Sequence, residues 1–145
     1  MVLHLRELFF TPDGWPVVSP QRYAGDERRI VSEKEIAGDW EIIRIRESTH
    51  ERQLEAGQIM WGKGSLENEE WNSSYPLRLH SDGTTSDHGS WSFNQKNQTM
   101  TFTVDKETIR NLYIFAGHDW EKQTRTILLT GLDDEGRSVW GKRIK

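Results

Sequence analysis

A chain of 145 residues has room for one ordinary domain whose core needs no covalent staples. A net charge of −4 with scattered cations argues against a phosphate-binding surface, and the lack of cysteine removes disulfides, thiolate metal sites and thiol nucleophiles. No apolar run approaches the ~20 residues a membrane span requires, so neither nucleic acid nor membrane is an expected partner.

The chain enters at once on a strand-like run at residues 1–5, as a segment cut from a longer protein would. The apolar stretch 3–10 reads as a strand. It turns through Thr11-Pro12-Asp13-Gly14 and returns over 15–19, making a hairpin with Pro16 on an edge. Residues 20–31 are polar and read as a connection. The pairs Arg28-Arg29 and Lys142-Arg143 read as solvated surface. Ser32-Glu33-Lys34-Glu35 has the form of a capping box, but Gly38 halts any helix after a turn or two.

From Gly38 onward the pattern is strand after strand, at 40–46, 58–63, 76–80, 89–94, 99–104, 111–116, 124–132 and 138–144. The segment 47–55 is charged and reads as an exposed loop. Met100, Phe102 and Val104 alternate with Thr99, Thr101 and Thr103, and Trp91 and Phe93 alternate with Ser90, Ser92 and Asn94. Asp133-Asp134-Glu135-Gly136 reads as a four-residue hairpin loop. Short strands at regular spacing imply an all-β sandwich or barrel. Gly38-Asp39-Trp40 resembles the opening of lipocalin-like barrels, where the Trp closes the barrel floor. The expected fold is therefore all-β: a single antiparallel β-barrel, lipocalin-like, with one short helical turn. Residues 1–145 form one domain, 38–145 being the barrel proper.

No motif for catalysis stands out. The acids fall in turns and polar loops, as in Glu67-Asn68-Glu69-Glu70, where they solubilise a surface. His80, Asp82, Asp87 and His88 are close in sequence, but two Asx-type turns with His at strand ends explain them better than a metal or acid–base site. No phosphate-cradling Gly loop, His-Glu-x-x-His, calcium loop or nucleophile elbow appears. The expectation is no catalytic residue, no metal and no cofactor. Seven Trp residues need an explanation. Trp40, Trp91 and Trp140 lie in strands and read as core, and Trp61 is ambiguous. Trp71 and Trp120 sit in polar loops. Burial over a barrel end is the plainer reading for these two, and a stacking platform for sugar rings is the functional one.

The stretch Leu5-Arg6-Glu7-Leu8-Phe9-Phe10-Thr11-Pro12-Asp13-Gly14-Trp15-Pro16-Val17-Val18-Ser19-Pro20-Gln21-Arg22-Tyr23-Ala24-Gly25 is distinctive. It resembles the junction in bacterial endo-arabinanases of glycoside hydrolase family 43, where a propeller hands over to a C-terminal β-barrel. Gly38-Asp39-Trp40-Glu41-Ile42, Gly89-Ser90-Trp91-Ser92-Phe93 and the segment from Gly131 to Lys142 are consistent with the same domain. The resemblance implies a non-catalytic accessory domain of a secreted, extracellular arabinan-degrading enzyme. Residues 1–20 would then be a junction hairpin facing the N-terminal five-bladed propeller of the parent chain. Leu8, Phe9, Phe10 and Trp15 are the expected interface, with Trp71 and Trp120 as candidate arabinan contacts. The competing class is a stand-alone lipocalin-like binder of a small apolar ligand. An independent hydrolase built on residues 80–88 ranks last.

Overall fold

The computed structural model describes residues 3–25, 27–45, 74–104 and 107–144. The strand expected at 58–63, the loop at 47–55, Trp61 and Trp71 lie outside them. Among the described residues nine strands follow in chain order: β1 (Leu8–Phe10), β2 (Pro16–Val18), β3 (Gly38–Arg44), β4 (Ser74–Leu79), β5 (Ser90–Asn94), β6 (Thr99–Val104), β7 (Glu107–Asp119), β8 (Thr124–Leu132) and β9 (Ser138–Arg143). A 3₁₀ turn, Glu33–Glu35, precedes β3. The Glu35 carboxylate accepts the Ser32 N–H at 2.8 Å, so the capping box is used, though on one turn only.

β3 to β9 form one antiparallel sheet in the order β4-β3-β9-β8-β7-β6-β5. The sheet curls until its two edge strands meet at one end. There Thr85 bridges to Leu79 of β4 and Thr84 bridges to Ser90 of β5. The N–H groups of His80 and Trp91 donate to the Thr84 and Gly83 carbonyls, each at 2.8 Å. Gly89 permits this crossing, because a Cβ there would lie 1.9 Å from the Thr103 carbonyl oxygen.

The concave face carries the core, and the expected alternation decides which residues reach it. Trp91, Met100 and Phe102 are buried, joined by Ile42, Leu77, Leu79, Ile109, Leu112, Ile114, Leu129 and Val139 in one contiguous cluster. Each such side chain contributes about 1.5–3 kcal/mol relative to exposure. Trp40 is fully buried, and its indole N–H donates to the Ile36 carbonyl at 2.7 Å. Val31 and Ile36 plug the interior beside it. Gln98 clips the plug in place: its side-chain carbonyl accepts the Val31 N–H at 2.7 Å and its amide donates to the Val31 carbonyl at 3.1 Å.

Three readings are corrected. Trp140 is not core: Val139 and Gly141 face inward, so parity turns Trp140 to the convex side, half-buried. Lys142 is not solvated surface but buried, its ammonium 3.4 Å from Asp119 and 2.8 Å from Glu121. Arg143 donates twice to the Ala37 carbonyl, at 3.1 and 2.9 Å, and helps lock the plug. The hairpin β1–β2 forms as expected, with Phe9 opposite Val17. It lies on the convex side of the sheet.

Candidate functional site

The convex side of β7, β8 and β9 is a seat for the N-terminal arm. Phe9 stacks on Tyr113, ring centroids 5.2 Å apart, and meets the Phe115 ring at a tilt, centroids 4.7 Å apart. The Tyr113 hydroxyl donates to the Phe10 carbonyl. The Val18 carbonyl accepts from the Thr130 hydroxyl at 2.6 Å and from the Trp140 indole at 3.0 Å. The Arg6 guanidinium lies 5.7 Å from the Trp140 ring centre. Phe9 and Val17 thus face the domain, while their neighbours point away. Leu8, Phe10 and Trp15 are 49 %, 57 % and 66 % exposed. The four residues expected at an interface are divided, Phe9 inward and the other three outward.

Trp120, in the turn between β7 and β8, holds the far end of the arm. Its indole N–H donates to the Arg22 carbonyl at 2.9 Å, and the Arg22 guanidinium sits 4.0 Å over the ring. His118 meets the ring edge-on at 4.7 Å. Asp119, buried, shapes this turn by accepting the Glu121 and Lys122 N–H groups at 3.0 and 3.3 Å. A broad recess of about 980 Å³ opens beside it, between Gly25, residues 27–29, the 3₁₀ turn and β7–β8. Three of the cations lining it are paired internally: Arg28 with Glu7 at 3.7 Å, Arg29 with Glu35 at 2.8 Å, and Arg143 with Ala37.

The His80–His88 segment behaves as turns. Asp82 accepts the Thr84 N–H at 2.9 Å, and Asp87 accepts the Gly89 N–H at 3.3 Å. Among the described residues no group of three His, Asp or Glu side chains is placed to hold a metal ion.

At the opposite end, the β8–β9 turn is organised by Asp133, whose side chain is fully buried. Its carboxylate accepts from the Glu135 and Arg137 N–H groups at 3.0 and 2.9 Å, from Arg44 at 2.9 Å and from Arg137 Nε at 2.8 Å. Burial pushes its pKa up, but the Arg137 N–H and the Arg44 and Arg137 guanidinium groups outweigh it and hold the carboxyl below its ordinary value. Beside this turn a second recess, about 450 Å³, lies between the tip of the β1–β2 hairpin, the start of β7 and residues 132–136. Trp15, Asp13, Arg110, Asn111 and Asp134 line it. Sequence reasoning missed this gathering, because its members come from three separate segments. Positive φ at Asn111 (59°), beside a shift in the β6–β7 register, was no more visible in sequence.

A single antiparallel sheet curled round an apolar interior, floored by a Trp and stoppered by a short turn, is a lipocalin-like architecture. Residues 20–141 match GH43_C, the C-terminal lipocalin-like domain, and the chain belongs to that family. Among its relatives, the extracellular endo-alpha-(1->5)-L-arabinanase 2 of Bacillus subtilis is 23 % identical over 145 residues, covering 97 % of this chain and 26 % of that protein. The extracellular endo-alpha-(1->5)-L-arabinanase of Thermotoga petrophila is 24 % identical, over 99 % of this chain and 27 % of that protein. The crystal structure of the glycoside hydrolase family 43 YxiA protein from Bacillus licheniformis superposes with a TM-score of 0.74 at 22 % identity, covering 98 % of this chain and 28 % of that one. The T. petrophila endo-1,5-alpha-L-arabinanase crystallised with TRIS gives 0.73 at 20 %, covering 98 % and 29 %. The chain thus spans about a quarter of the length of the relatives it matches, and these relatives are larger proteins in which such a domain sits beside other sequence.

Proposed function

We propose that this chain is the non-catalytic accessory domain of a secreted arabinan-degrading glycoside hydrolase, docked on the catalytic part of the parent chain, a five-bladed propeller. The carrying observation is the outward face of the β1–β2 hairpin. Leu8 and Val18 are paired across it, Phe10 stands next to them, and all three are exposed. Apolar side chains grouped on a fixed hairpin mark a surface that another domain covers. The relatives' names supply the substrate class. The named relatives are extracellular, which supports the placement outside the cell.

The buried acids support a structural role: Asp119 and Asp133 are occupied in shaping turns and in ion pairs. The apolar side chains of the concave face pack on one another as one cluster, which favours an accessory domain over a container for a small apolar ligand. Trp120 contributes to polysaccharide contact through the ring surface that Arg22 leaves uncovered, and Trp71 is a candidate outside the described residues.

Two measurements test the reading. The 145-residue chain should release no reducing sugar from arabinan; turnover above the blank would overturn the non-catalytic assignment. In the full parent protein, Leu8→Ser with Phe10→Ser should lower the unfolding temperature and activity of the catalytic part, while leaving the 145-residue chain as stable as before. An unchanged parent would remove the docking face.

A further inference from the structure

The recess at the hairpin tip has the features of a ligand site that the docking face lacks. Five Trp residues are described. The indole N–H groups of Trp40, Trp91, Trp120 and Trp140 each donate to a backbone carbonyl. Trp15 differs from all four: among the described residues its indole N–H has no partner, and its ring is the most exposed large one. The loop that carries it is nonetheless fixed. The Thr11 N–H donates to the Trp15 carbonyl at 2.8 Å, and the Trp15 N–H of the backbone donates to the Thr11 hydroxyl at 3.0 Å. A rigid loop therefore presents an uncommitted indole to a concave surface.

The polar lining is uncommitted too. The side chains of Asp13, Arg110, Asn111 and Asp134 have no hydrogen-bond or ion-pair partner among the described residues. This contrasts with Asp133, next in sequence to Asp134, which accepts four hydrogen bonds. Arg110 and Asn111 owe their direction to a β-bulge. Met100 pairs with Leu112 and Phe102 with Ile109, so both residues oppose Thr101 alone. The bulge sets Asn111 at φ 59° and leaves Arg110 and Asn111 both exposed, where a regular strand would send one of them to the core. A non-glycine residue at such an angle is uncommon and costs backbone energy.

We propose that this recess binds a segment of neutral sugar chain, one ring stacked on Trp15 and its hydroxyls held by Asp13, Arg110, Asn111 and Asp134. The mixed lining selects the ligand class. Two carboxylates disfavour an anion and one guanidinium disfavours a cation, whereas a polyol donates to the carboxylates and accepts from the guanidinium and amide. The C–H face of a sugar ring covers an aromatic surface while its hydroxyls stay hydrogen-bonded. The volume, about 450 Å³, lies within the usual range for small-molecule sites. That the sugar is a linear α-1,5-arabinan rests on the functional reading above; that it is a sugar does not.

The test is a titration of the isotopically labelled 145-residue chain with linear α-1,5-arabino-oligosaccharide, xylo-oligosaccharide and cello-oligosaccharide, following the indole N–H resonances. The Trp15 signal should move with arabino-oligosaccharide while those of Trp40 and Trp91 stay. Trp15→Ala should weaken binding by at least about tenfold and Asp134→Ala by severalfold, with the remaining indole signals unchanged as proof of folding. If Trp15 responds to one of the other sugars but not to arabino-oligosaccharide, the recess is a sugar site and the arabinan reading falls. If no sugar moves Trp15, or Trp15→Ala binds as well as the parent chain, the recess proposal is overturned and the docking reading stands by itself.

Discussion

Asp133 carries more of the fold than its place in an acidic loop suggests. Arg44 of β3, Arg137 of the turn and two backbone N–H groups converge on one carboxylate. Its removal leaves cations and N–H donors without an acceptor in a partly dry place. Asp133→Ala should cost about 2–3 kcal/mol in chemical denaturation, while Asp134→Ala, one residue on, should be near neutral. Acid sensitivity belongs to the same scale. The Arg29 guanidinium and the Ser32 N–H hold Glu35 down from 4.5 to about 2. A carboxyl with a lowered folded-state pKa stabilises the protein fully above its unfolded value and loses that contribution as pH falls through the folded one. Glu35→Gln should therefore flatten the stability loss between pH 4.5 and about 2. The effect should be small and should shrink further in high salt, because Arg29 and Glu35 are both substantially exposed. The Ser32–Glu35 capping box was legible in the sequence, but the Asp133 cluster was not. Residue type alone assigns Asp133 and Lys142 to solvent, and only long-range pairing shows that each sits where strands converge.

At the scale of elements the sequence was easier to read, since period-two alternation is local. β5, β6 and β8 fall where the pattern puts them, and Trp91 and Phe93 share a face as expected. β7 runs to 13 residues where the pattern gave six, because the bulge at Arg110 and Asn111 breaks the alternation at one end and polar Gly117, His118 and Asp119 disguise the other. Hairpin β1–β2 was legible as a hairpin. Its seat was not, because Phe9 finds Tyr113 more than a hundred residues along the chain. That seat can be measured. Phe9→Ala removes the inward ring and should cost the hairpin about 1–2 kcal/mol of local stability. The amide of Ser19, bonded to the Glu7 carbonyl, should exchange roughly tenfold faster, while amides of β8 keep their protection. Equal acceleration everywhere would mean that the hairpin is part of the global folding unit.

For the whole molecule, the arm runs lengthwise over the convex side, from the hairpin tip near Arg110 to Trp120 beyond Asp119. Nine residues of β7 separate those points, roughly 30 Å of strand. The two aromatic surfaces considered for sugar are therefore at opposite ends, which is why replacing one should not disturb the other. The family and its lipocalin-like fold could be read from the junction motif and from Gly38-Asp39-Trp40. The recess lined by Trp15 could not, since folding alone assembles it.

The manner in which the hairpin is fastened has a further consequence. Its anchors are Phe9, Val17 and the main-chain oxygens of Phe10 and Val18, reached by Tyr113, Thr130 and Trp140. Side chains at positions 8, 10 and 18 take no part in that grip. Mutation can therefore redraw the outward lettering of this plate, and so change which neighbour it fits, without loosening the screws that hold it on.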